Sequence, residues 1–257
     1  MSQDPFDEWI DEAVAWLAER VHDNLELEQA LRQGLWRGAW HLSLYQGGSG
    51  LEGLSLVTPA GRWLLEGVTE PAVLYLTAMA AKDRRPVDLV TSAATAAWAR
   101  PLLAAAGLLR REEDLLNLVC RQAPERAEGR WAEASDLPLI AACLRAGTGT
   151  NVDRDWPALV AARRVALLTR ASGDAACVSV SPETARFALL DEVHATGEAA
   201  WRELGEGVVG FATRELLAGR PAVRALAPEP GTFAALLGRL GFAPEGHVFH
   251  AGIAGIA

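Results

Sequence analysis

The same succession of hydrophobic periods occurs twice along the 257 residues, and that doubling confines the chain to few architectures. In the first pass, Trp9, Ile10, Ala13, Val14, Trp16, Leu17 and Val21 recur at helical spacing, and a second helical stretch spans Leu25–Trp36. The period then drops to two: Trp40–Tyr45, Leu54–Val57 and Arg62–Leu65 read as strands, with a turn at Gln46–Gly50. A helix over Pro71–Ala81, a strand over Val87–Val90, a helix over Ala93–Ala106 and a strand over Glu113–Val119 complete this pass. The second pass opens at Arg130, with Asp136 as N-cap of a helix running to Arg145 and a loop at Gly147–Asn151. A helix over Trp156–Arg163 and antiparallel strands Val165–Thr169, Cys177–Val180 and Ala185–His194 follow. Then come a helix over Val208–Leu217, a strand over Ala222–Leu226, a helix over Thr232–Arg239 and a strand over His247–Ile253. Both passes read strands, helix, strand, helix, strand. We expect an internal duplication of α+β type, with modules 1–121 and 130–257 joined by the polar, non-periodic run 122–129.

Half of the residues are hydrophobic, enough for a substantial core, and the net charge is −9. With Lys82 as the only lysine and no basic block, nucleic acid and anionic membrane surfaces are excluded as general partners. Cys120, Cys143 and Cys177 are widely spaced and form no ligand pattern, so buried thiols in a reducing cytosol are expected. The acidic start lacks signal-peptide character, and no apolar run is long enough to span a membrane. The expected location is the cytoplasm.

One segment points to particular chemistry. Arg202-Glu-Leu-Gly205-Glu-Gly207 follows the strand ending at His194 and precedes the helix starting at Val208. Glycines at a strand-to-helix turn let backbone N–H groups face outward, and a helix start adds orphan donors and a positive dipole end. Together these cradle phosphate or pyrophosphate. The antiparallel strands ahead argue against a dinucleotide fingerprint. Gly210-Phe211-Ala212 offers a second register for the same pattern.

The second half resembles the Gcn5-related N-acetyltransferase (GNAT) superfamily. Arg130-x-Ala-x-x-x-Asp136 is similar to its opening, Arg202-x-x-Gly205-x-Gly207 to its acyl-CoA pyrophosphate motif, and Leu236–Phe242 to its late helix. The first half resembles a degenerate copy. The resemblance implies two modules, each a mixed, mostly antiparallel sheet flanked by helices, with acetyl-CoA or another acyl-CoA in a split of the second sheet. It further implies pyrophosphate contacts from Arg202 and the backbone of Gly205, Glu206, Gly207 and Val208. The pantetheine arm would pair with backbone around Val193 and Ala195 like an added strand. The family's acid tyrosine aligns with Leu237, which has no proton to give.

Transfer from a thioester to an amine needs a base for the amine proton. Glu192 and His194, two residues apart on one strand, share a face and are the candidates. His247 and His250 would point to opposite faces of a strand, so no metal site is expected. The tryptophans are expected in the core, Trp201 beside the glycine turn included. The expected activity is acyl-CoA-dependent N-acylation of a small amine or a peptide amine, and a homodimer is left open. The rivals are a silent acyl-CoA sensor or interaction module of the same fold, and an unrelated α+β protein.

Overall fold

The computed structural model describes residues 5–19, 25–82, 86–146, 155–180 and 187–254. The chain forms two compact units, Met1–Leu115 with Gly246–Ala257, and Leu116–Glu245.

In the first unit, α1 (Pro5–Ala18) and α2 (Leu25–Arg32) precede the antiparallel strands β1 (His41–Gly47), β2 (Gly50–Val57) and β3 (Arg62–Gly67). Gly50, at φ 110°, stands where the β1–β2 hairpin turns, a conformation that suits glycine. A parallel neighbour needs a crossover, and α3 (Glu70–Lys82) supplies it, setting β4 (Asp88–Ser92) parallel to β3. Ser92 then caps α4 (Ala93–Ala105) by accepting the Thr95 N–H at 3.2 Å, and β5 (Leu109–Cys120) follows. The final strand, β11 (Ala243–Ile253), enters this sheet antiparallel to β4, giving the order β1-β2-β3-β4-β11-β5. Trp63, Leu65, Leu76, Leu103 and Phe249 fill the core behind it.

The second unit takes the end of β5 and continues with β6 (Arg130–Trp131), α5 (Leu137–Ala146), α6 (Trp156–Ala161), β7 (Val165–Thr169), β8 (Ala175–Val180) and β9 (Phe187–Ala195). A long helix, α7 (Glu198–Leu217), crosses to β10 (Ala222–Pro228), and α8 (Thr232–Arg239) leads into β11. The sheet order is β5-β10-β9-β8-β7-β6, antiparallel from β6 to β9 and parallel between β9 and β10. Both units therefore have the mixed sheet flanked by helices expected of an α+β chain. Asp136 is not the cap of α5. Glu133 caps a short 3₁₀ turn ahead of it, and Asp136 closes the box by accepting the Glu133 N–H at 2.8 Å.

Periodicity keeps residues 130–257 together, whereas the compact units assign Gly246–Ala257 to the first. The reason is the ladder Val248–Gly252 with Asp88–Ser92 and the complete burial of Phe249 in the first core, under the Arg100 guanidinium at 4.3 Å. Residues 122–129, expected as a linker, lie inside the second unit. Phe249→Ala is expected to cost about 3–5 kcal/mol, read as a shift of the urea midpoint.

At the start of β3, Arg62 holds Glu26 of α2 through two hydrogen bonds of 2.7 Å and Asp88 of β4 at 2.5 Å. His250 Nε2 lies 3.4 Å from the same guanidinium. Burial first, and then Arg62, push His250 below its ordinary pKa, against the opposing pull of Glu26, Asp88 and Glu113. A lowered folded pKa means that the native state prefers the neutral ring. The stability from His250 is present above its unfolded value of about 6.5 and is lost as pH falls through the folded one. Urea titrations from pH 8 to pH 5 should show that loss in the native chain and a smaller one in His250→Phe.

Candidate functional site

The glycine motif does not form the expected turn. Helix α7 runs unbroken from Glu198 through 20 residues, so Arg202–Gly207 lies within it. Backbone N–H groups at Gly205, Glu206, Gly207 and Val208 belong to the i→i−4 ladder, and Gly205, Gly207 and Val208 are buried. They are not available to a phosphate.

The glycines serve close packing instead. A Cβ at Gly205 would stand 3.3 Å from Leu236, one at Gly207 3.0 Å from Leu168, and one at Gly210 only 1.9 Å from the Arg126 carbonyl oxygen. Segment 126–128 lies along α7, with the Glu128 N–H donating to the Gly207 carbonyl at 3.0 Å. Arg126 Nη2 also donates to the Glu203 carbonyl at 3.3 Å. Glu206 turns outward to Arg239 at 3.0 Å. Glycine inside a helix costs about 1 kcal/mol relative to alanine, and the packing of segment 126–128 against α7 offsets that cost. The alternative register, Gly210–Ala212, is likewise helical and buried.

The actual strand-to-helix turn is Thr196-Gly197. Gly197 caps α7 in extended backbone at φ 176°, and nothing lies within 4 Å of its missing Cβ. Gly197, Glu198 and Ala199 are exposed, so first-turn N–H groups face solvent. Arg202 sits one turn along, exposed and paired with Glu198.

Beside that turn the sheet splits. Strands β9 and β10 pair through Phe187–Leu190 and Ala222–Ala225, yet β9 continues to Ala195 and β10 to Pro228. A bulge starts the divergence, since Val180 faces Leu190 whereas Val178 faces Val193, leaving Asp191 and Glu192 opposite Ser179. Asp191, which the sequence did not single out, accepts from Ser179 Oγ at 2.8 Å. The Thr196 N–H donates to the Ala175 carbonyl of β8 at 2.9 Å. Backbone direction alternates along a strand, so Thr196 and His194 turn their polar groups to β8. Val193 and Ala195 turn theirs into the split. Their side chains pack with Ala227, Phe233, Leu236 and Leu237 in the core under α7. Trp201 packs on the edge of the same core. Leu237 is fully buried.

His194 lies on the other face. It pairs in register with Cys177 and is 3% exposed, its ring edge-on to Trp156 with centroids 6.4 Å apart. Cys177 donates to Cys143, and this bond, then burial, pushes the Cys177 thiol far up. The side chain of Glu192 lies outside the described residues, and the bulge interrupts the strict alternation that placed it with His194. His250 faces Arg62 in the first unit. Among the described residues, no group of three His, Cys, Asp or Glu side chains could hold a metal ion, and no helix is long and apolar enough to cross a membrane.

No family model and no curated protein matches the sequence. Solved structures do match. A GCN5-related N-acetyltransferase from Sphaerobacter thermophilus gives a TM-score of 0.58 at 15% identity, covering 89% of this chain and 86% of that one. A GNAT-family acetyltransferase from Colwellia psychrerythraea gives 0.55 at 10% identity, over 89% and 97%. A Drosophila protein solved as a structural genomics target gives 0.64 at 13% identity, over 96% of each chain. At such identities the likeness concerns fold: over most of its length, this chain has the α+β fold seen in GNAT proteins.

Gly210→Ala is expected to destabilise by about 1–3 kcal/mol, because the new methyl overlaps the Arg126 carbonyl oxygen. Gly197→Ala, in extended backbone with open space, meets no clash and should cost at most about 1 kcal/mol, the preference of an N-cap for glycine over alanine. Thermal unfolding of both variants checks the contrast.

Proposed function

We propose that the second unit binds an acyl-CoA, acetyl-CoA foremost, and transfers its acyl group to an amine. The observation that carries this reading is the split between β9 and β10 beside the open first turn of α7. An extended pantetheine amide fits there as an added strand, meeting the N–H and C=O groups of Val193 and Ala195. The pyrophosphate then lies at the first-turn N–H groups of Glu198, Ala199 and Ala200, and Arg202 turns to it from Glu198. The amine nitrogen attacks the thioester carbon, the carbon–sulfur bond breaks, and the amine proton passes to His194 or Glu192. CoA leaves as thiolate. Leu237 offers no acid, and a thiol of pKa about 8.5 takes its proton from water near neutral pH. The net charge of −9 favours a cationic acceptor, such as a polyamine, an aminoglycoside-like amine or a basic peptide end. The cytoplasm, where acyl-CoA is made, is the proposed setting.

A second reading, an acyl-CoA sensor without turnover, is favoured by Leu237 and by the Trp156 cover over His194. Acetyl-CoA at 100 times its Kd should add about 2.7 kcal/mol of stability. Release of free CoA thiol across an amine panel separates the two readings. Turnover that falls about 10²- to 10⁴-fold in His194→Gln supports transfer with His194 as base. Stabilisation without turnover on any amine supports the sensor, and neither effect contradicts both.

A further inference from the structure

The first unit contains the same kind of split, and its own side chains fill it. Strands β3 and β4 pair through Arg62–Leu65 and Asp88–Thr91, and β3 then continues to Gly67. The Val68 N–H donates to the Glu52 carbonyl of β2 at 2.9 Å, as Thr196 does to Ala175. Gly67 therefore stands where Ala195 stands in the second unit, and its N–H points away from β2.

That N–H donates to Thr95 Oγ1 of α4 at 3.1 Å. The same hydroxyl lies 3.0 Å from the Gly67 carbonyl and 2.7 Å from Glu66 Oε1, and its single proton serves one of them at a time. Ser92 Oγ donates to Glu66 Oε1 at 2.6 Å. Glu66 is 1% exposed and Thr95 fully buried. Helix α4 begins at once after Ser92, bringing Thr95, its third residue, against β3. In the second unit, β10 runs to Pro228 before α8 starts, and the third residue of α8 is Ala234. Alanine has no hydroxyl to repeat the bond.

The start of α3 differs from that of α7 in a second, independent way. Pro71 removes the N–H that Ala199 offers at the matching position. The Glu52 carboxylate accepts from Thr69 Oγ1 at 2.9 Å, where the second unit has Ala175 in the place of Glu52, whereas Glu70 is matched by Glu198 of α7. Phosphate would meet the Glu52 carboxylate there.

We propose that Thr95 and Glu66 occupy the first split as a built-in substitute for ligand, so that each chain offers one acyl-CoA site, in its second unit. This rests on the acyl-CoA reading of that unit.

Hydrogen exchange on the full chain tests both separately. In the ligand-free protein, the Gly67 amide should be protected; Thr95→Val should speed its exchange about tenfold, and Thr95→Ser should restore it. Acetyl-CoA should slow exchange at Val193 and Ala195 and leave Gly67 unchanged. Slowing at Gly67 by acetyl-CoA, or no response of Gly67 to Thr95→Val, would overturn the filled split. If acetyl-CoA slows neither Val193 nor Ala195, the acyl-CoA reading falls, and the Thr95 variants still decide the first split.

Discussion

A strand that outruns its parallel neighbour leaves backbone N–H and C=O groups facing a gap, and buried groups of that kind need partners. Each unit of this protein contains such an end, at Gly67 after the β3–β4 pairing and at Val193–Ala195 after the β9–β10 pairing. The first is satisfied by a threonine hydroxyl beside a buried carboxylate. The second is lined by aliphatic side chains and opens beside a glycine-capped helix. One topology thus yields an end bridged by a side chain in one unit and an end lined by aliphatic side chains in the other. The side chains arriving from α4 and α8 make the difference.

The order of elements was legible because hydrophobic period reports which faces are buried. Most strands and helices lie where the spacing of apolar residues put them. The misreading of Arg202–Gly207 as a turn has a physical source. Glycine marks a turn when its backbone must face outward, and a helix interior when another chain segment must come close. Only the partners, Leu236, Leu168 and the Arg126 carbonyl, distinguish these cases, and all are distant in sequence. A better local signal was present. Val68-Thr-Glu-Pro71 and Thr196-Gly-Glu-Ala199 both follow a strand and open a helix with Glu at its first position, so the duplication itself marks the second turn at Gly197. Glu66 and Thr95 could not be read as a pair, since 29 residues and a crossover separate them.

Strand exchange was also invisible to periodicity. The pattern His247–Ile253 is strand-like whichever sheet it joins, and only its ladder to β4 assigns it to the first unit. The first core thus depends on Phe249, Ala251 and Ile253, which the chain supplies last. Each half of the sequence supplies a strand segment to the unit built mainly from the other.

The central claim is that the split in the second unit, and not its counterpart in the first, receives an acyl-CoA. Calorimetric titration of the full chain with acetyl-CoA tests it most directly. One site per chain is expected, weakened by Arg202→Ala and abolished by Gly197→Trp. Two sites per chain, no site, or a single site indifferent to both substitutions would contradict it.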